Sequence, residues 1–527
     1  MKETAIKSVV RDSPLGRLVR FVSSNRAFPY PEEDPGFVIP FQSPDTQDPE
    51  KEKTGDRGPT SGLNLTHDSL ENNANGASLH DLRTIATAQS HTSHGTLART
   101  STVSRPRTRE QTAPFSRERF DIEQTEAIER RQSSIVEPQR TSDGLIVVDW
   151  YTTDDPENPQ NWPSWKKAYA SFIIGAYTFI VYAGSAIYTN AELPLMDKFG
   201  IGNSKAALGL SVYVLGYGTG PMIFSPLSEI PALGRNTPYI ISFFLFVILC
   251  IPTALANSYA SLLVLRFLTG FMGSPCLATG GASMGDMYGL LKLPYALTVW
   301  VAASFCAPAL GPVLSGFSVS AESWRWALWE VLWGAAPILL LMFTSLPETS
   351  ASNILLRRAQ RLRKLTGSSM YRSQGELDQE HMSVNQVALE ALWRPIEIAI
   401  KDPAVFFTNA YTALIYGIYY SFFECFPLVY IGKYGFNPGE LGLTFICIIV
   451  GCMLGMITYS CYVYFYLEPD IKKRGLRQQE HRLVPALFAV FLLPISMFWF
   501  GWTARHDIHW IVSVIGNMFY AMGAFIL

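Results

Sequence analysis

From residue 168 onward the sequence is a succession of apolar stretches about twenty residues long, parted by short polar connections. Crossing the roughly 30 Å hydrocarbon core of a bilayer takes about 20 apolar residues of helix. In lipid, only helices and closed barrels satisfy every backbone donor and acceptor internally. Ten such stretches can be drawn, at 168–190, 206–226, 237–256, 260–281, 293–317, 325–346, 403–431, 440–464, 483–503 and 508–527. The expected fold class is therefore an all-α integral membrane protein.

The 527 residues are 48% apolar and only 16% charged, against about 25% charged in an ordinary globular domain. That average conceals two different parts. Before Trp165 the chain is Ser, Thr, Arg, Glu and Pro, and residues 41–142 are of low complexity. Such a stretch buries too little apolar surface to offset its ordering entropy. Residues 1–146 are accordingly expected as a disordered N-terminal region, followed by a first six-span half over 147–346. A central loop over 347–402 and an incomplete second half over 403–527 complete the division. Within the first part, Arg17-Leu18-Val19-Arg20-Phe21-Val22 alternates basic and apolar residues. That pattern fits a short helix on an anionic membrane surface and a solvated arm equally. Ser133 and Ser134, beside Arg130 and Arg131, are candidate phosphoacceptors, and Asn64-Leu65-Thr66 has the form of a glycosylation acceptor.

Orientation follows from Lys and Arg in the short connections. Arg235, Lys292, the run Arg357 to Lys364, and Lys472 to Arg482 all fall in alternate loops. This predicts a cytosolic N-terminus and a cytosolic central loop. Six spans, a linker and a second group suit two half-bundles around a midplane site. The last residues, Ala524-Phe525-Ile526-Leu527, lie inside an apolar run; the reading is a truncation that leaves about four spans in the second half. A net charge of -2 with no aromatic-interleaved basic patch excludes nucleic acid as a partner. The seven cysteines form no CxxC pair or Cys/His cluster, the eight histidines sit nearly all in tails and loops, and no P-loop is present. No metal, cofactor or enzymatic activity is expected, nor an ATP-driven pump.

Three spans carry unusual residues. The stretch Trp300 to Gly316 holds Pro308 and Pro312 with Gly311 and Gly316, so the helix should be kinked or locally unwound there. Alone, that is either a bent packing helix or a bend at the wall of a cavity. Arg266 lies within an apolar helix, where a central charge costs about 2.5–3.5 kcal/mol on insertion scales; it either finds a partner or snorkels. On span seven Asn409, Tyr416, Tyr420 and Glu424 recur at helical spacing, with Phe422, Phe423 and Pro427 beside them. An aromatic face with one acid suits lipophilic or cationic compounds, and an intramembrane acid is a functional candidate by default. Tyr177, Gly184 and Tyr188 on span one share a face that either opposes it or packs.

Several stretches together carry a resemblance: DPENPQNWP at 155–163, SPLSEIPALGRN at 225–236, LRFLTGFMGSPCLATGGASMGDMY at 265–288, ALGPVLSGF at 309–317 and LPETSASNILLRRAQRLRKLTG at 346–367. In these the chain resembles fungal members of the major facilitator superfamily, in the twelve-span drug:proton antiporter group of multidrug and fluconazole-resistance exporters. The resemblance runs over Arg11–Tyr30 and Val147–Leu527. It implies two six-helix bundles and proton-coupled efflux of lipophilic or cationic drugs across the plasma membrane by alternating access, by a monomer without cofactor. It further implies a conformational latch at Glu229, Gly234 and Arg235, where a plain surface ion pair would be worth under about 1 kcal/mol. Arg266 would be the residue tied to proton coupling. Pro308, Gly311, Pro312 and Gly316 would belong to the antiporter motif, from which Ala307 departs where relatives often carry Gly. Tyr177, Tyr188, Asn409, Tyr416, Tyr420, Phe423 and Glu424 are the candidate substrate contacts. Two other readings stay open: export of one endogenous metabolite or polyamine, and a non-transporting truncated remnant or sensor.

Overall fold

A computed structural model describes residues 2–34, 36–41, 102–104, 112, 115–379, 392–393 and 396–527. The Asn64 acceptor and most of the low-complexity stretch lie outside these residues. Among the described residues nine helices are long and apolar enough to cross a membrane. They are span one (Ser164–Phe199), two (Asn203–Glu229), three (Asn236–Ala254), four (Tyr259–Met287), five (Leu293–Ala321), six (Trp324–Ser345), seven (Pro403–Ile431), eight (Pro438–Arg474) and nine (Glu480–Thr503). A shorter apolar helix, Trp510–Ile526, takes the place of the tenth expected stretch and is called span ten. Phe172, Phe244, Leu487 and Phe488 stand exposed around the bundle, as a lipid-facing surface requires.

Spans one to six pack one against another, with two on four, three on four and six, and one on five and six. Spans eight, nine and ten form a second group, and span five, which also contacts span eight, makes the seam between the two. Along that seam the special residues of span five are explained by contact. The helix stays continuous through Pro308 and Pro312, so the local unwinding expected there is absent. The Pro312 carbonyl accepts from the Asn190 amide at 2.8 Å. A Cβ on Gly311 would fall 2.8 Å from the Ile187 nitrogen of span one, and one on Gly316 2.5 Å from the Pro438 carbonyl of span eight. These glycines allow three helices to approach backbone to backbone.

The largest difference from expectation lies before span one. Residues 2–34 and 36–41, and those from 115 to 146, adopt ordered conformations, where the composition of 1–146 predicts disorder. Helices Lys2–Asp12 and Pro14–Val22 meet at Ser13, which caps the second by accepting from the Gly16 N–H at 3.2 Å. A third helix, Arg117–Glu129, is capped by Ser116 and reaches the turn between spans four and five, where Glu123 accepts from the Leu290 N–H at 2.7 Å. Ser134 is buried, and Ser133 donates to Asp154.

The central loop is ordered as well over its first part. Helix Ala351–Thr366 runs from an N-cap at Ser350 to Gly367 at φ +67. It buries Leu355, Leu356, Ala359 and Leu362, and strand Tyr371–Arg372 pairs in parallel with Ile146–Val147. The charges that make this region look disordered find partners on this helix. Arg358, 1% exposed, meets Asp155 at 2.7 Å, Glu157 at 3.1 Å and Glu32 at 3.5 Å. Arg361 meets Glu32 and Glu157, each at 3.0 Å. In helix Pro14–Val22 the buried residues are Gly16 and Arg20, while Leu18, Phe21 and Val22 face outward. The basic side therefore docks on protein, and the apolar side is left for the surroundings.

Candidate functional site

The side of the bundle that carries the N-terminal helices is called here the near side, and the other the far side. Between spans five and seven, toward the near side, lies a cavity of about 860 Å³. Its wall is built from Leu297, Val301 and Phe305 of span five and Tyr411, Tyr416 and Tyr419 of span seven, with spans eight, nine and ten completing it. Phe305 and Tyr419 pack edge-on at 5.5 Å, and the Tyr419 hydroxyl donates to the Phe305 carbonyl at 2.9 Å. Among the residues lining the cavity Arg482, set over the Phe115 ring at 3.9 Å, is the one charged side chain. A space of this size with aromatic walls and few polar tips holds lipophilic compounds. It gives no acid to hold a cation.

A layer of hydroxyls closes the cavity toward the far side. Tyr217 of span two bonds to both Tyr416 and Tyr420 of span seven at 2.9 Å, and Ser185 of span one bonds to Tyr420 at 2.9 Å. The Tyr182 ring packs on Tyr217 at 5.5 Å. Spans one and two are thus tied to span seven by side chains that can exchange partners without moving the backbone.

Behind this layer Arg266 is buried at 2% exposure. Its guanidinium donates to the carbonyls of Gly184 at 2.8 Å, Ser185 at 3.1 Å and Gly209 at 3.1 Å. It also lies 4.3 Å from the Tyr213 ring and 4.9 Å from Tyr188. The five-donor fork matches three converging carbonyls, which a lysine's single ammonium would not. Arg266 forms no ion pair within 4 Å among the described residues; it holds spans one, two and four together rather than snorkelling.

At the near side, Gly234 has φ +69, a conformation open to glycine. A Cβ there would fall 2.7 Å from Glu348 Oε2. Glu348 accepts from the N–H groups of Arg235 at 2.9 Å and Asn236 at 3.3 Å, and of Thr349 and Ser350 at 3.1 Å each. Arg235 pairs with Asp286 at the end of span four, 3.3 Å away, and donates to Ser228 at 2.8 Å. Glu229, the acid assigned to this latch by resemblance, forms no ion pair within 4 Å among the described residues and acts on Arg235 only as a nearby charge. Asp286→Asn is therefore expected to free Arg235 and speed amide exchange over 228–236 several-fold, and Glu229→Gln to leave that exchange within twofold.

The structure separates the candidate substrate contacts. Tyr416 lines the cavity, and Tyr420 sits in the hydroxyl layer. Phe423 is buried against Phe445, stacked at 5.0 Å. Tyr177 faces into the first half, donating to the Gly273 carbonyl at 3.1 Å and packing on Phe243 at 4.3 Å. Tyr188 accompanies Arg266, and Asn409 is exposed and does not line the cavity. Glu424 lies beyond the hydroxyl layer, beside Glu192 at the end of span one. Asp286, Glu348, Tyr217, Ser185 and Glu192 were not singled out from sequence. The first two lie inside the resembling stretches 265–288 and 346–367, which is where a signal for them stood.

The profile of the Major Facilitator Superfamily matches residues 174–527. The MFS-type transporter pyvG of Aspergillus violaceofuscus is 47% identical over 380 residues, covering 72% of this chain and 70% of that protein. A cycloheximide resistance protein of Candida maltosa is 42% identical, covering 72% of this chain and 70% of that one. Fluconazole resistance protein 1 of Saccharomyces cerevisiae is 40% identical, covering 72% and 68%.

Proposed function

The chain belongs to the major facilitator superfamily, and we propose that it exports lipophilic, mostly uncharged toxic compounds across the plasma membrane in exchange for protons. The observation that carries this reading is the aromatic cavity of about 860 Å³, closed toward the far side by hydroxyls shared between spans one and two and span seven. Resistance named for cycloheximide and fluconazole in the relatives supports compounds of this kind as cargo. Arg482 in the wall, and the position of Glu424 outside it, favour uncharged cargo over cationic cargo. The near side is the cytosolic one in this reading, since it gathers Arg235, Lys292, Arg358 and Lys472. The exporter works as a monomer, and the near-side cavity is its cargo-accepting state.

Exchange relies on the membrane potential and the pH gradient. One charge moved through 100 mV is worth about 2.3 kcal/mol, a gradient of roughly fortyfold in cargo per proton by the usual conversion. Cells that lack their own exporters and express this chain should retain several-fold less labelled fluconazole or cycloheximide than control cells, and a protonophore should abolish the difference. Equal retention with and without the chain would overturn export. A difference that survives the protonophore would overturn the exchange.

A further inference from the structure

Two glutamates meet across the boundary between spans one and seven, near their far-side ends. Glu192 opens the last helical segment of span one, just after the turn Thr189–Ala191, and is 6% exposed; Glu424 is half-buried, seven residues before the end of span seven. Their carboxyls are near enough to act directly on one another. Oε1 of each is buried with no hydrogen-bond donor. Ionised carboxylates only accept, so two of them cannot bond to one another. A single proton between them turns repulsion into a short, charge-assisted hydrogen bond. The Tyr188 hydroxyl, on a side chain with no exposed surface, is likewise buried without a partner. It feels both carboxyls and Arg266.

We propose that Glu192 and Glu424 share one proton, and that this proton is the clamp that holds the far side of the transporter shut. The proposal rests on the antiport reading, for which it supplies the residues that carry the proton. With the far side open, each carboxyl is ionised and faces water. A proton taken from that side binds one carboxylate, the O–H donates to the other, and spans one and seven close. Release of the proton to the near side leaves two adjoining carboxylates with no donor between them, and the halves part. The chain of hydroxyls Ser185, Tyr420, Tyr217 and Tyr416 begins one helical turn from Glu424 and ends at the cavity wall. Cargo bound there acts on the same span that carries Glu424.

Other charged groups nearby are engaged elsewhere. Arg266 is held by three carbonyls and supplies a positive field without an ion pair to either acid. Lys198 lies over the Trp324 ring at 4.9 Å, and Arg325 of span six donates to Asn257 at 2.9 Å. Glu330 of span six lies near Ser318. On the second group Lys433 donates to the Ala504 carbonyl at 3.0 Å, and Glu440 caps its own helix at Asn437. The tyrosines that face the pair are Tyr188 and, one turn along span seven, Tyr420.

The test uses the full chain in liposomes, with spin labels on cysteines replacing Leu193 and Leu428, exposed neighbours of the two acids. Raising the pH should lengthen the distance between the labels in the otherwise unchanged chain. In Glu192→Gln/Glu424→Gln the amides keep a hydrogen bond without a titrating proton, so the distance should stay short at every pH. In parallel, accumulation of labelled fluconazole driven by a pH gradient should fall at least tenfold in Glu192→Gln, while Glu330→Gln stays within twofold of the original. A distance that ignores pH, or that responds alike in the double variant, overturns the clamp. If the unchanged chain accumulates nothing under the gradient while its distance still opens with pH and the double variant does not, the antiport reading fails and the clamp stands.

Discussion

If the chain exports as proposed, Arg266→Lys should lower export at least tenfold at equal protein level, although the charge is preserved. The guanidinium is planar, and its fork reaches the carbonyls of Gly184 and Ser185 on span one and Gly209 on span two at 2.8–3.1 Å. An ammonium is a compact point charge on a flexible stem and cannot meet three carbonyls set in that arrangement. A carbonyl left without its donor in a buried site costs about 1–3 kcal/mol. The strain falls on Gly184 and Ser185, and Ser185 is the residue that bonds Tyr420 across the boundary. Release of span one therefore disturbs the closure of the cavity before it disturbs the fold. Arg266→Met loses the field as well as the donors and should add a lowered melting temperature. Drug retention and thermal unfolding of the purified chain, measured side by side, separate the two effects. Full export by Arg266→Lys would show that the carbonyl bonds are not needed.

The spans themselves were legible because lipid imposes a length and a polarity that no neighbour has to supply. The same holds for Arg266, whose cost in an apolar helix announces that something must hold it, though not that three carbonyls do. The prolines of span five were legible as residues but not in effect. The residues alone predict a kink or local unwinding, and the close approach of Ile187 and Pro438 that Gly311 and Gly316 permit depends on helices distant in sequence. Span seven was read as one face from Asn409 to Glu424. The structure divides it, since Tyr416 meets the cavity, Tyr420 meets span two and Glu424 meets span one, each through a partner that periodicity does not contain. Order before span one was hidden most deeply. Composition reports charges and not their partners, and Glu32 finds Arg361 329 residues away.

That distant pairing makes Arg358→Met the substitution with the largest expected effect on stability. Arg358 is 1% exposed and the carboxylates around it, Glu32, Asp155 and Glu157, are as deeply set. Removing one partner of a buried ionic group leaves uncompensated charge and costs about 3–5 kcal/mol. Arg361 still reaches Glu32 and Glu157, but Asp155 keeps only the Tyr151 and Glu157 N–H groups, and the segment 36–41 that packs on helix Ala351–Thr366 beside Glu32 loses part of its hold. By contrast Arg474 is largely exposed beside Asp470 at 3.7 Å, and Arg474→Met should cost under about 1 kcal/mol. Amide exchange over 36–41 reads the docking on helix Ala351–Thr366 directly: fast in Arg358→Met, slow in Arg474→Met and in the original chain. The pH dependence has a defined sign. Burial alone would raise the Glu32 carboxyl, but Arg361 and Arg358 outweigh it and hold it below the usual range. Burial opposes Arg11 in the same way at Asp12, which is also held low, and Arg20 does so at Glu33. A carboxyl lowered in the folded state stabilises at every pH above its unfolded value, about 4 for Asp and Glu. That stabilisation fades only as the pH falls through the lower folded value. Docking should therefore be level from pH 5 to 8 and weaken below about pH 4. Slow exchange over 36–41 in Arg358→Met at neutral pH would show that this segment is held by something other than the network.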